Sequence, residues 1–575
     1  MLPAVFLFGQ KFFSATQKST LMRLLLFLLF PGFVFCQGSP LPTDHPAYPL
    51  LDRLEILQGS NDHFHASLKY YDRQDVVSFL LALDSTLAAQ NAADLAYLFA
   101  DNAEWLPDSI TTRPSKKPFL KHFYQSPANF YEISKPDFFL KVNPLLRLSV
   151  GFDPGDEQPL FENSRGVELR GGIDQRIYFY ANILESQARF PSYARQWVDK
   201  YRAVPGAGLH KTYRSTLFDL SNAYDFLNSQ SYISFKLTPH VNTQFGYGRN
   251  FIGHGYRSLL LSDFASNYLY LKLNWRVWKL HYQNVFAELG HTSPAQQAGD
   301  GLVPKKYMAA HHLSINIRPN LTIGLFEAVI FERNNFFELN YLNPLILYRS
   351  IEGALGSPDN VLIGLDARWN AFGKIQWYGQ LMLDEFKFDE LFLERRGWWA
   401  NKYAFQVGLK ALNLLGIDHL DVALEYNQAR PYTYTHRDST ANYAHFNQAL
   451  AHPLGANFKE GIVRLRYQPS HNWLLEARFI RFHSADDSPG SNWGSNILLS
   501  YQTREQDYGN SIGQGISYKG FIAGLDLSYQ VKHNLFLDLN LFYRQKDSTD
   551  DRLDLQTRYV SSGLRMNLGR QRFDF

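Results

Sequence analysis

Cysteine, charge and long apolar runs are all scarce in this sequence. Its one cysteine in 575 residues, Cys36, excludes an intrachain disulfide. Charged residues make up 19% of the chain, below the roughly 25% that is usual for soluble domains. The net charge of +3 is small and evenly spread, which argues against a nucleic-acid partner. No stretch after residue 40 approaches the roughly 18 apolar residues of a membrane-spanning helix, so any membrane crossing would use strands.

Motifs for catalysis or for metal and cofactor binding are also missing. No G-x-S-x-G elbow occurs, and no metal-ligand spacing follows His311 and His312. The glycine-rich segment 246–255 lacks the Gly-Lys-Ser/Thr of a phosphate loop. A serine and a histidine on adjacent barrel strands could still form a lipase or acyltransferase site, and the sequence leaves this open. We nevertheless expect no enzyme, no cofactor, no metal and no catalytic residue.

The last third of the chain alternates strictly between apolar and polar residues. Apolar side chains occupy the odd positions of 521–531 and of 535–543, whereas Asp526, Asp538 and Arg544 lie between them. A period of two over about ten residues is typical of strands that cross a membrane with one face toward lipid. Aromatic residues, which form the interface girdles of such barrels, make up 15% of the chain. The pattern predicts an all-β fold, an outer-membrane barrel of antiparallel strands.

The amino-terminal residues 1–36 resemble a secretory signal peptide. Met22 and Arg23 precede an apolar stretch from Leu24 to Phe35, and small residues precede a cleavage site after Cys36. We expect translation to start at Met22 and cleavage to leave a chain without a thiol. A lipid anchor on Cys36 is the alternative, although the bulky Phe35 is wrong for a lipobox.

Residues 37–136 differ from the rest because their pattern is helical. Asp72 is placed to cap a helix whose first turn carries Asp75, and apolar residues then recur at helical spacing. A second helical pattern runs through 92–99 and ends before Pro107. We predict two or three short periplasmic helices that pack under the barrel; docking of a partner protein is the alternative.

From residue 137 onward we predict a barrel that continues to residue 575. The sequence predicts eighteen strands, at approximately 139–150, 164–170, 173–184, 231–237, 242–248, 268–275, 279–289, 311–317, 321–331, 361–370, 374–384, 403–412, 419–426, 460–468, 473–483, 516–531, 535–545 and 557–568. Tight turns alternate with long loops, as in barrels with short periplasmic turns and long external loops. Residues 497–501 resemble another strand, but a strand there would invert this sidedness, so we assign them to the external loop 484–515.

The predicted inward-facing positions carry charges of both signs. They are Asp366, Arg368, Lys374, Asp384, Lys410, Glu425, Arg464, Arg466, Glu476, Arg478, Asp526 and Arg544. Eighteen strands enclose a wide channel unless something fills it. Because loop 332–360 is too apolar for water, we expect it to fold into the barrel mouth and occlude it; a wet pore is the alternative.

The sequence ends in Phe573, Asp574 and Phe575, after a strand that alternates in the same way. An alternating last strand followed by a carboxy-terminal Phe predicts recognition by the outer-membrane assembly machinery.

Three segments carry a resemblance to a known family. They are GYGRNFIGHGYRSLLLSDFASNY at 246–268, AAHHLSINIRPNLTIGLFEAVIFER at 309–333 and ELNYLNPLILYR at 338–349. The chain resembles the Wzi-like capsule-assembly family, from about Tyr48 to its end. Within that family it is most similar to the Bacteroidetes branch that includes gliding-motility-associated outer-membrane proteins. The resemblance implies an eighteen-stranded barrel with periplasmic helices that holds exported capsular or exopolysaccharide at the cell surface.

Sugar binding needs aromatic faces and fork-shaped donors on the outer side of the membrane. The external loops offer such candidates at Glu394, Arg395, Arg396, Trp398, Trp399, Arg430, Tyr432, Tyr434 and His436. The two tryptophans could instead be girdle residues at the outer interface. We expect a monomer whose partners are outer-membrane lipid and surface polysaccharide. A porin-like channel and a component of gliding-motility or protein-secretion machinery are the alternatives.

Overall fold

The structure is a computed structural model that describes residues 39–107, 109–110, 114–116, 118–215, 220–296, 301–356 and 359–575. The predicted signal peptide at 1–36 and the cysteine at its end lie outside the described residues. None of the helices in the described ranges is long and apolar enough to cross a membrane.

The chain forms a closed barrel of eighteen long antiparallel strands. The strands are β1 Phe138–Phe152, β2 Leu160–Ile173, β3 Ile177–Arg189, β4 Leu220–Thr238, β5 Val241–Gly248, β6 Tyr268–Val277, β7 Leu280–Gly290, β8 Lys305–Arg318, β9 Leu321–Phe331, β10 Asn360–Ala371, β11 Ile375–Glu385, β12 Lys402–Ala411, β13 Leu420–Ala429, β14 Phe458–Ser470, β15 Trp473–Asp486, β16 Ile516–Lys532, β17 Leu535–Ser548 and β18 Leu555–Met566. The barrel closes where β18 pairs with β1, with Leu564 opposite Leu148. Closure satisfies the strand edges, which a bilayer would otherwise leave without hydrogen-bond partners.

Side chains alternate between the outer face and the lumen of the barrel, as the period of two in the sequence predicts. Leu525 is 41% exposed on the outer face, whereas the adjacent Asp526 is 5% exposed inside the barrel. Leu537 and Leu539 also face outward. The predicted fold class and the number of strands are therefore confirmed.

Individual strand bounds differ from prediction at most strand ends; β8, for example, begins at Lys305 instead of 311. Strand β4 begins at Leu220 instead of 231, and residues 174–176 form a turn where a strand was expected to begin. Residues 497–501 form no strand, as predicted. Lys374 does not face the lumen, because it lies in the exposed turn between β10 and β11.

Short turns and long loops lie at opposite ends of the barrel. Seven of the eight connections at the periplasmic end have two or three residues, as between β16 and β17. There Asn534 adopts φ 53°, a left-handed conformation that asparagine tolerates better than most residues. The long connections, including 249–267, 430–457 and 487–515, are all at the extracellular end.

In the described part of the chain before the barrel there are four short α-helices: α1 Ala47–Gln58, α2 Arg73–Leu81, α3 Ser85–Gln90 and α4 Ala92–Asp101. The predicted cap is present, since the Asp72 side chain accepts a hydrogen bond of 2.9 Å from the Gln74 backbone N–H. Helices α1, α2 and α4 bury Leu54, Phe79 and Leu98 in one apolar cluster. Helices α1 and α3 were not predicted as elements; α3 buries no residue, so it shows no apolar periodicity.

The helices plug the periplasmic end of the barrel and are held there by ion pairs. Arg53 of α1 lies 2.5 Å from Asp421 at the start of β13. Asp75 of α2 lies 2.8 Å from Arg276 near the end of β6. Glu104, just after α4, lies 3.0 Å from Arg170 of β2. The helical segment therefore contacts several parts of the barrel wall rather than hanging free below it.

The last nine residues leave the wall and fold back inside the lumen. Arg572 lies 2.5 Å from Glu476 and 3.1 Å from Asp526. Asp574 lies 3.1 Å from Arg478, and Phe575 packs against Trp197 of an extracellular-loop helix, α5 Ser192–Tyr201. The carboxy-terminal Phe is thus in the lumen and not on the last strand. Its recognition by the assembly machinery stays a prediction.

Contrary to expectation, the described part of loop 332–360, residues 332–356 and 359, does not enter the barrel mouth. It packs on the outer wall, where Tyr341 and Tyr348 are buried with Phe286, Val329 and Val361. Those three wall residues point away from the lumen, in register with one another across β7 to β10. The loop packs outside because the outer wall offers an apolar surface there, whereas other segments occupy the lumen.

The Glu104 carboxylate should make attachment of the plug sensitive to acid. Burial alone would raise its pKa, but Lys141 and Arg170 lower it from 4.5 to about 2. A carboxylate whose pKa in the folded state is below its unfolded value stabilises the fold above pH 4.5. This stabilisation is lost as the pH falls toward 2. We expect hydrogen-exchange protection of 92–105, corrected for intrinsic rates, to fall between pH 5 and 3. Glu104→Gln should flatten this pH dependence, and Glu157→Gln, on an exposed loop, should not; equal profiles would contradict the assignment.

Removing Arg572 should destabilise the barrel strongly. The change Arg572→Ala leaves Glu476 and Asp526 with less compensation in a buried site, where breaking a pair costs about 3–5 kcal/mol. We expect urea-induced unfolding from lipid vesicles at a clearly lower midpoint. Arg552→Ala breaks an exposed pair with Asp550 and should leave the midpoint unchanged. Equal midpoints for both variants would show that the lumenal segment contributes little.

Candidate functional site

Two extracellular loops fold inward and close the barrel below its outer rim. Leu259, Leu260 and Leu261 of loop 249–267 are fully buried in the lumen. Loop 430–457 covers them, since Tyr434 donates a hydrogen bond of 2.8 Å to the Leu259 carbonyl and Tyr443 one of 2.7 Å to the Leu260 carbonyl. The outer surface of the mouth therefore rests on a packed interior.

Polar side chains of the barrel wall form hydrogen bonds with backbone groups of loop 249–267 that have no backbone partner. Gln380 of β11 accepts a hydrogen bond from the Leu259 N–H (2.8 Å) and donates to the Ile252 carbonyl (3.0 Å). Glu425 of β13 accepts from the Tyr256 N–H (2.7 Å) and the Arg257 N–H (3.1 Å). Buried backbone groups without such partners would be costly. The inward-facing polar residues of the strands thus hold this loop inside the barrel.

A cavity of about 580 Å³ remains in the lumen. It lies between the plug, loop 249–267 and the C-terminal segment, and charged side chains such as Asp52, Lys410 and Arg570 line it. Many of these charges already pair: Lys410 with Asp52, and Arg570 with Glu476. The lining is thus largely neutralised by internal ion pairs.

On the outer surface, loops 386–401 and 487–515 are joined by backbone hydrogen bonds. The Gly509 N–H donates to the Arg396 carbonyl (2.8 Å), and the Trp399 N–H to the Asp507 carbonyl (2.9 Å). Gly397 adopts φ 70°, and a Cβ there would lie 2.9 Å from the Asn510 nitrogen. Only glycine therefore allows this close approach. The contact brings residues about 100 positions apart in sequence onto one surface.

This junction forms a group of aromatic and basic side chains that we name the mouth cluster. Its members are Lys387, Arg396, Trp398, Trp399, Tyr501, Arg504 and Tyr508.

Cations and rings alternate within the mouth cluster. The Arg504 guanidinium lies 4.3 Å from the Trp399 ring centre, and the Tyr501 ring lies 4.7 Å from the same ring. Arg396 lies 4.4 Å from the Tyr508 ring centre. Trp398 and Trp399 are half-exposed, with their ring centres 6.2 Å apart. Such a surface offers ring faces for stacking and guanidinium groups for hydroxyls or carboxylates.

The sequence-predicted site residues fall into two groups. Glu394, Arg395 and Arg396 are exposed, and Arg396 pairs with Glu390 at 2.6 Å. Together with Trp398 and Trp399 they form one side of the mouth.

The predicted residues of loop 430–457 lie beneath that surface. Arg430 is half-buried and donates to the Trp398 and Asn510 carbonyls at 3.3 and 3.4 Å. Tyr432 and Tyr434 are fully buried, and Tyr432 donates to the Asn492 carbonyl at 2.8 Å. His436 is buried with its ring centre 6.0 Å from that of Tyr501. In this structure Tyr432, Tyr434 and His436 support the surface from beneath, whereas Arg430 is partly exposed, as the two tryptophans are.

Sequence reasoning missed Lys387, Tyr501, Arg504 and Tyr508. The last three lie in segment 487–515, for which the sequence predicts only an external loop. An aromatic and basic composition at 501–508, YQTREQDY, is the signal that could have identified them.

The electrostatic setting favours the charged form of Arg396. A hydrogen bond to Glu390 raises the pKa of Arg396. Burial lowers the pKa of His436, which therefore adds no charge beneath the cluster at pH 7. Burial also raises the pKa of Tyr501, so its hydroxyl stays protonated. Across the described ranges, no group of three or more His, Cys, Asp and Glu side chains could hold a metal ion.

Comparison with known proteins agrees with this architecture. The family model for the capsule assembly protein Wzi matches residues 156–508. Escherichia coli Wzi, described as an outer-membrane protein involved in group 1 capsule assembly and as a carbohydrate-binding β-barrel, has a similar solved structure. The similarity covers 94% of this chain and 100% of that one, with 14% sequence identity and a TM-score of 0.56.

More distant structural relatives come from two other species. Pseudomonas aeruginosa OprD covers 74% of this chain and 94% of its own, with 9% identity and a TM-score of 0.42. Acinetobacter baumannii OccAB2 covers 74% and 97%, with 9% identity and a TM-score of 0.41. No curated protein matches the sequence significantly.

The match to the Wzi model spans more than half of the chain, and the barrel carries an apolar outer face with helices at its periplasmic end. The resemblance to the Bacteroidetes branch in particular stays a prediction. The protein is an outer-membrane β-barrel that belongs to the Wzi family of capsule assembly proteins.

Proposed function

We propose that the protein binds exported capsular or exopolysaccharide and holds it at the cell surface through the mouth cluster. The observation that carries this proposal is the junction of loops 386–401 and 487–515, which places two half-exposed tryptophans beside Arg396 and Arg504. Membership of the Wzi family and the carbohydrate binding ascribed to the E. coli relative support it.

The chemistry of the cluster suits a polymer of sugars. Trp398 and Tyr508 offer apolar ring faces against which pyranose rings can stack. Arg396 and Arg504 offer planar donors that can bind uronate carboxylates in pairs of hydrogen bonds. A long chain can lie across several weak contacts at once, so that modest interactions add up along the polymer.

The filled lumen favours surface binding over a porin-like channel. Helices α1–α4, the segment 567–575 and loops 249–267 and 430–457 all lie across the interior. Neither the matched family nor the structural relatives support the gliding-motility alternative.

Binding of purified protein to the source organism's own surface polysaccharide tests the proposal. We expect saturable binding to the wild type, and an affinity about tenfold weaker for Trp398→Ala or Arg504→Ala, because a stacking contact of about 1.4 kcal/mol corresponds to a factor of ten.

The matched control is Trp278→Ala, which removes an equally large ring from an exposed periplasmic turn. It should bind like the wild type. Absence of wild-type binding would reject the proposed function, whereas equal loss in all variants, or in none, would reject the mouth cluster as the site.

A further inference from the structure

On the outer wall of β7 to β10, the outward-facing side chains are exposed or half-exposed along the periplasmic half of the strands and buried along the extracellular half. On β9, Leu325 is 52% exposed, whereas the next outward-facing residues, Glu327, Val329 and Phe331, are buried. On β8, Ile317 is exposed and His311 is buried on the same face. Something therefore covers the extracellular half of this wall. The cover is residues 332–356, which we name the wall flap.

A carboxylate on the wall anchors the flap by capping its helix, α6 Tyr348–Leu355. Glu327 accepts hydrogen bonds from the Tyr348 N–H (2.9 Å) and the Arg349 N–H (3.0 Å), the first two amides of the helix. A negative charge at a helix N-terminus satisfies free donors and opposes the helix dipole. His311 lies 2.9 Å from the same carboxylate and stacks on the Tyr348 ring at 4.5 Å.

Further contacts fix the middle and the ends of the flap. Asn284 and Tyr282 of β7 donate to the Pro344 carbonyl, the former at 3.1 Å. At its ends, Asp359, which follows the flap, accepts hydrogen bonds from Arg333 at its start (2.9 and 2.6 Å) and from the Tyr341 hydroxyl (2.8 Å). Polar groups on the outer face of β7, β8 and β9, together with Asp359 just before β10, are thus paired with the flap.

The contacts place the flap at the depth of the bilayer. Pro344 reaches Tyr282, which lies level with Leu325 through the register of β7, β8 and β9. Leu325 is six residues below the extracellular end of β9 at Phe331. Six residues of a tilted strand correspond to about 15 Å along the membrane normal, more than half of the roughly 25 Å apolar band of such barrels.

The side of the flap that faces away from the barrel is mainly apolar. Its exposed apolar side chains are Phe336, Leu339, Leu342, Leu345, Leu347 and Leu355, and the exposed polar ones between 336 and 355 are Asn340, Asn343, Arg349 and Ser350. Leu345 is 79% exposed and Leu339 72%. This surface continues the exposed belt of the wall, where Leu325 and Ile363 lie beside the anchor at Glu327. Exposure of such an apolar patch to water is unfavourable in free energy, whereas its contact with lipid chains is not.

We propose that residues 336–355 are immersed in the outer leaflet, with lipid acyl chains as the partner of their apolar face. The flap then shields Asn284, His311 and Glu327, polar groups on the outer face that lipid would otherwise contact directly. The surface is distinct from the mouth cluster, and the inference does not depend on polysaccharide binding.

Nitroxide labels test this placement in intact protein reconstituted into phosphatidylcholine vesicles. Single cysteines are introduced as Leu345→Cys and Leu347→Cys, with Cys36→Ser in the same chain. Leu325→Cys on the bare wall is the lipid reference, and Gln502→Cys on an exposed loop is the water reference. Collision rates with oxygen, which concentrates in lipid, and with a water-soluble nickel complex are then measured.

The expected result is that both flap labels match Leu325→Cys, with frequent oxygen collisions and several-fold fewer nickel collisions than Gln502→Cys. Nickel collisions equal to those of Gln502→Cys would place the flap in water and overturn the proposal. Few collisions with either reagent, or spin–spin broadening, would show a protein or a second copy on this face and would equally overturn it.

Discussion

The need to satisfy every backbone amide inside a bilayer governs this structure. A sheet that closes on itself is the solution that strands allow, and eighteen strands close here where β18 meets β1. A barrel of that size encloses more space than wall side chains can fill. The helical plug, the infolded loops and the C-terminal segment all fill part of that space.

The same closure explains why the interior is held by charges. The period of two assigns apolar residues to the lipid face, so polar residues remain for the lumen. Segments that enter the lumen must therefore offer opposite charges and hydrogen bonds, as Arg572 does to Glu476 and Glu104 does to Arg170. Buried charges are tolerable because they are paired.

The extracellular loops have different roles, which depend on where each loop packs. Loop 249–267 becomes lumenal filling, loops 386–401 and 487–515 build an aromatic and basic surface over it, and the wall flap covers the outside of the barrel. For the candidate site, the sequence identified Trp398 and Trp399 but not their partners Tyr501 and Arg504. Those contacts join residues about 100 positions apart, and local pattern carries no information about them.

The sequence by itself determined the barrel, its strand number, which side chains face lipid, and the Asp72 helix cap, because each follows from local periodicity or hydrogen bonding between near neighbours. Only the tertiary structure decided that 332–356 packs outside, that 567–575 turns inside, and that Tyr432 and Tyr434 are buried. An apolar loop gains similar burial energy on either face of a wall. Its position therefore depends on which surface is left free once every other segment has packed.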